Sequence, residues 1–200
     1  MSKRAVRKRK KGYLAENYRK CWEYLRETKN FTFIIIGIFF AFVLIGFFVP
    51  APPGISDQLL SYIKSIVEQI SGFSTASLIG FIFLNNVKSS LLGWILGILL
   101  GIFPVLFSLF NGYVLGFVSK LSVEQGGVFV LWRLLPHGIF ELPAVFISLG
   151  MGMKLGSALI SDRKRMKENF LNSLRVFVSI VIPLLIIAAI IEGILISVLG

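Results

Sequence analysis

Residues 31–49 run for a full bilayer crossing without a single charge, from Phe31 to Val49, and stop at Pro50-Ala51-Pro52-Pro53-Gly54. A helix of about 20 apolar residues spans the hydrocarbon core of a membrane. Proline ends it, because it lacks an amide proton and disfavours helix in the residue before it. The rest of the chain is built of similar material: 56% of the 200 residues are hydrophobic and 16% charged, against roughly 45–50% and about 25% in soluble domains. Two hundred residues of this composition allow a handful of spans with short loops. The expected fold class is all-α, a polytopic transmembrane helix bundle of about five spans.

The charge is basic, with 21 Lys+Arg against 10 Asp+Glu, a balance that in a soluble protein points to nucleic acid. Its location argues against that reading. One cluster precedes the first apolar run and includes Lys8, Arg9, Lys10 and Lys11; the other lies between Lys154 and Arg175 and includes Arg163, Lys164 and Arg165. Basic residues gathered beside apolar spans mark the cytoplasmic side and attract anionic lipid headgroups. Both clusters fall on one side only if an even number of spans separates them. The reading is therefore a multi-pass protein of the cytoplasmic membrane, N-terminus inside and C-terminus outside, with anionic headgroups as partners and no nucleic acid.

Residues 1–30 read as a basic tail followed by an interfacial helix, in which Leu14, Tyr18, Cys21, Trp22 and Leu25 recur at helical spacing between basic residues. About 30 polar residues precede the first apolar run and no small-residue cleavage site follows it, so that run is expected to stay as an anchor. Residues 31–200 read as the transmembrane domain, with spans at about 31–49, 76–101, 103–119, 128–153 and 176–199. Between the first two, residues 56–71 pattern as an external amphipathic helix, with Ser56 or Asp57 as its N-cap. The stretch from Ser74 to Lys120 is long enough, at 1.5 Å per residue, to cover about 70 Å, so it is divided into two spans that reverse near Gly101 to Pro104. Ser119–Gly127 is expected to form a short outer loop, and Lys154–Arg175 an inner one.

Polar groups inside these spans mark candidate sites, since ionisable side chains at bilayer depth need a partner, water or a function. Asn85, Asn86 and Lys88 predict a break near residue 85, and Arg133, Pro136, His137, Gly138, Glu141 and Pro143 a second near residue 136. His137 and Glu141 are four apart and share a face of any continuous helix. They read either as a proton-coupled pair or as a polar knot joining span four to the asparagines of its neighbours. One His and one Glu are too few for a zinc centre, so no metal or cofactor is expected. Glu192, near the chain's end, reads mainly as interfacial, and Trp22, Trp94 and Trp132 as belt aromatics. Gly93-x3-Gly97-x3-Gly101 and Gly112-x3-Gly116 let helices approach closely within the chain; a homodimer seam is the lesser alternative. Cys21 stands alone and reads as a small hydrophobe. No motif of common enzyme chemistry is present, so the chain is not expected to be an enzyme.

Phe83-Leu84-Asn85-Asn86, Asn111-Gly112-Tyr113-Val114-Leu115-Gly116 and above all Leu135-Pro136-His137-Gly138-Ile139-Phe140-Glu141-Leu142-Pro143-Ala144 resemble the stage II sporulation protein M family. The resemblance covers roughly residues 30–200, without the basic tail, and implies a five- or six-helix bundle in a bacterial or archaeal cytoplasmic membrane. It makes Asn85, Asn86, Asn111, Gly112, Pro136, His137, Gly138 and Glu141 the matching positions. In endospore formers the family is similar to a scaffold that recruits peptidoglycan-degrading partners, a role that does not carry over to relatives in organisms that never sporulate. Two functions follow as expectations: a membrane scaffold for other membrane or envelope proteins, or a small transporter or channel around His137 and Glu141.

Overall fold

The computed structural model describes the backbone of residues 3–129, 131 and 135–199 and the side chains of residues 14–129, 131 and 138–198. Those residues form helices and turns with no strand among them. In order, the helices are α1 (Lys3–Phe48), α2 (Pro53–Ile70), α3 (Thr75–Ile95), α4 (Ile102–Gly126), α5 (Leu135–Ser161), α6 (Met166–Val176) and α7 (Ile182–Leu199). Among the described residues, five helical stretches are long and apolar enough to cross a membrane, at Leu14–Phe48, Thr75–Ile98, Ile102–Gly126, Gly138–Ser161 and Arg163–Val198.

The expected interfacial helix and first span are one continuous helix. No proline or glycine falls between Tyr13 and Ile36 to interrupt it. Its Cys21, Tyr24 and Thr28 are buried against the bundle rather than laid on lipid. Asn17 Nδ2 donates to Ser179 Oγ at 3.0 Å across 162 positions. The amphipathic segment forms α2, which starts earlier than expected: Pro53 opens it, preceded by Pro52 with no side-chain cap, instead of Ser56 or Asp57. Proline suits the first turn because its missing N–H has no intrahelical partner there anyway.

The break expected near residue 85 does not occur, since α3 runs unbroken through Asn85 and Asn86. The interruption comes at its end, where Leu96–Ile98 tighten into a 3₁₀ turn and Leu100 (φ 58°) and Gly101 (φ 70°) adopt left-handed conformations in succession. The chain thus reverses just before the expected Gly101–Pro104, and Pro104 sits buried in the first turn of α4. Helix α4 continues to Gly126, so most of the expected Ser119–Gly127 loop is helical. Residues 119–125 hold neither glycine nor proline, and Ser122 Oγ donates to the Val118 carbonyl at 2.9 Å. Only Gly127 (φ 76°) breaks it.

Helix α5 begins at Leu135, which puts Pro136 in a first turn rather than mid-span. Pro143 is accommodated inside the helix on its exposed side. The expected inner loop of residues 154–175 shrinks to a reversal of four residues, Asp162 to Arg165, because α5 and α6 extend into it. Between α6 and α7, Phe177–Val181 form a π-helical turn. Pro183 explains it: without an N–H it leaves a carbonyl in the preceding turn free, and the helix widens there.

Helix α5 lies at the centre, packed on α1, α3, α4 and α7, while α4 lies along α1. Glycines set these approaches. A Cβ on Gly112 would strike the Phe39 carbonyl, and one on Gly116 the Val43 carbonyl, both on α1. The Gly93, Gly97 and Gly101 row meets Gly152 and Gly156 of α5, with Gly93 O 2.6 Å from the Cβ position of Gly152. Both small-residue rows therefore serve packing within the chain.

Candidate functional site: a polar seam between α3, α5 and α7

Helix α3 turns Leu78, Ile82, Asn86, Ser90, Gly93 and Trp94 inward, the 3–4 spacing of one helical face. Asn86 and Ser90 are the polar members of that face, with Asn86 8% exposed and Ser90 fully buried. The Asn86 side chain lies near the Glu141 carboxyl on α5. Glu192, on α7, lies close enough to Glu141 for the two carboxyls to interact electrostatically. Its Oε2 is buried without a hydrogen-bond partner among the described residues, as is Ser90 Oγ. Three helices thus bring an amide, a hydroxyl and two carboxyls into one seam surrounded by apolar side chains.

The expected site residues divide. Asn86 and Glu141 lie near each other; Asn85 is on the exposed side of α3, as is Lys88. Asn111 is on α4, where its Nδ2 donates to the Phe107 carbonyl of its own helix at 2.8 Å. His137 and Pro136 belong to the first turn of α5, but their side chains lie outside the described residues, as do those of Lys8, Arg9, Lys10 and Lys11 and all of Arg133 and Trp132. Gly112 packs on α1 as described, whereas a Cβ on Gly138 would touch only the Leu142 side chain. Arg163, Lys164 and Arg165 are exposed at the reversal between α5 and α6. Among the described residues, no group of three His, Cys, Asp or Glu is placed to hold a metal.

Glu192, which the sequence reads mainly as interfacial, contributes a buried carboxyl oxygen. It follows Ala188 and Ala189 at helical spacing and precedes Gly193. These small residues let α7 approach its neighbours: both alanines are fully buried, and Gly193 packs on Ile79 of α3. Trp94 is corrected outright. Rather than belonging to a belt, it is 2% exposed, stacked between Phe170 at 5.5 Å and Phe177 at 5.0 Å. Its Nε1 donates to Ser173 Oγ at 3.0 Å. Indole N–H groups need such a partner when buried.

The family model of stage II sporulation protein M matches residues 33–195, which includes the whole seam. A curated relative, an uncharacterized protein of Methanocaldococcus jannaschii, is 34% identical over 115 residues, covering 53% of this chain and 51% of the relative. The chain thus spans about half the length of the curated relative it matches. No solved structure matches. With the five apolar helices and a family match from the first span into the last, the chain belongs to the stage II sporulation protein M family of membrane proteins.

Proposed function

We propose that the protein is a membrane-embedded scaffold that assembles other envelope proteins, with its basic end in the cytoplasm, its C-terminus outside and α2 on the outer surface of the cell membrane. The observation that supports this reading is α2. It is amphipathic, yet Leu59 is its only buried residue, while Ile55, Tyr62 and Val67 are exposed. It makes no extensive contact with another helix among the described residues. Helix α2 is joined by short turns to the ends of α1 and α3, and so is held at the bundle's end as a platform for partners. A photo-crosslinking residue at Val67 in intact cells is expected to give a discrete adduct with another envelope protein that Tyr62→Glu abolishes. Adducts with lipid alone would count against the scaffold.

A second reading, a small proton- or cation-coupled transporter, is favoured by Glu192 Oε2, which is buried near Glu141 without a hydrogen-bond partner among the described residues. Buried carboxyls in an apolar setting are the kind of group that ion pathways use. Purified protein in liposomes would then carry a flux driven by a pH or cation gradient that Glu192→Gln and Glu141→Gln abolish. Absence of flux under every gradient would dismiss it.

A further inference from the structure

Helix α3 has a second polar face, turned away from the bundle. Asn85 and Lys88 are exposed on it, and so are Leu92 (43%) and Ile95 (40%). The four follow one another at spacings of three, four and three residues, the pattern of a helix side that packs on another helix. Lys88 is the single charged residue between Glu68 and Lys120. It enters no ion pair among the described residues.

Depth makes that exposure costly. Lys88 lies about 20 Å along the helix from Thr75, where the span begins, and about 15 Å from Ile98, where it ends. A hydrocarbon core is about 30 Å thick, so Lys88 joins the backbone near the midplane. A lysine close to a span end lifts its charge to the headgroups along its own stem. The nearer end gives no such help here, because the turn there exposes Leu99, Leu100 and Ile102 and carries no charge. Ionisable groups at bilayer depth pair with one another, and among the described residues this chain supplies no carboxylate to Lys88.

We infer that the outward face of α3 seats a transmembrane helix of another membrane protein, one that carries an Asp or Glu at mid-span to pair with Lys88. Asn85, one turn away on the same face, adds an amide that hydrogen-bonds across the contact, and Leu92 and Ile95 pack below. One polar pair in an otherwise apolar contact selects the partner and its register. A second copy of this chain is a poor occupant. Copies in one membrane share an orientation, so a two-fold axis would lay α3 parallel to α3 and set Lys88 against Lys88, like charges in a medium that does not screen them. The inference stands on α3 alone and is independent of anything that docks on α2.

A photo-crosslinking residue at Leu92 of the full chain in its native cells, with adducts identified by mass spectrometry, tests this. The expected adduct is with a different membrane protein whose crosslinked helix carries a mid-span carboxylate. Lys88→Leu should lower its yield about tenfold, the size of one good polar contact between transmembrane helices, and replacing that protein's carboxylate with leucine should do the same. Lys88→Glu combined with a lysine in place of the carboxylate should restore the adduct. Purified Lys88→Leu should unfold no earlier than the unaltered protein, because the lysine does nothing for the isolated bundle. Adducts with lipid alone or with a second copy, a crosslinked helix without a carboxylate, or an adduct that persists in Lys88→Leu overturns the inference. Lower stability of purified Lys88→Leu overturns it too, by giving the lysine a role within the chain.

Discussion

Lys154 Nζ lies 2.7 Å from Glu27 Oε2, joining α5 to α1 across 127 positions of sequence. The same ammonium sits 4.1 Å from the centroid of the Tyr24 ring. The two partners are unequal, with 13% of the Lys154 side chain exposed and 66% of Glu27. Glu27→Ala should therefore cost under about 1 kcal/mol, as exposed ion pairs do. Lys154→Ala should cost more, because it also strips a packed aliphatic stem and a cation–π contact of about 0.5–1 kcal/mol. Thermal unfolding of both variants and the double variant, at low and high salt, gives the coupling; it should shrink with salt.

Much of the architecture was readable from local chemistry. Pro50 to Gly54 ends α1, Gly101 turns the chain between α3 and α4, and the glycine rows lie where helices touch. What the sequence left open was which face meets which helix. Asn85 and Asn86 look alike in a list of polar residues, but one is exposed and the other is turned toward α5 by a rotation of about 100°. The pair suggested a break, yet α3 buries Asn86 on its inward face and stays helical through both. Trp94 shows the same limit: an aromatic near a span end reads as interfacial until tertiary packing supplies Ser173 and Phe177.

Trp94 offers a direct check of that packing. Ser173→Ala removes the acceptor of the buried indole N–H and should cost about 1–3 kcal/mol, the penalty for an unpaired buried donor. Thermal unfolding in detergent, with tryptophan emission followed in parallel, measures it. No loss of stability would show that the indole has another partner.

The glycine rows predict a contrast within the α1–α4 pair. Gly116→Val forces a side chain against the Val43 carbonyl, and overpacking of this kind costs about 1–3 kcal/mol or more. Gly37→Ala, on the same helix as Val43 with nothing within 4 Å of the new methyl, should instead gain about 0.5–1 kcal/mol from helix propensity. Unfolding temperatures of the two variants should move in opposite directions.

The polar seam gives asymmetric losses. Asn86→Ala removes a buried amide from the face that α3 turns inward and should cost about 0.5–3 kcal/mol. Glu192→Leu removes a carboxyl whose Oε2 has no partner among the described residues, and replacing such a group with an apolar side chain is neutral or stabilising. Unfolding in detergent checks both; a Glu192→Leu variant less stable than Asn86→Ala would show that Glu192 is engaged in the seam.

Membrane sidedness bears on every part of this reading. With Cys21→Ala as background, Lys164→Cys at the α5–α6 reversal and Lys64→Cys on α2 can be probed with an impermeant thiol reagent in intact cells and in inverted vesicles. The expected result is labelling of Lys64→Cys only in cells and of Lys164→Cys only in inverted vesicles. Labelling of both from the same side would contradict the bundle's placement across the bilayer.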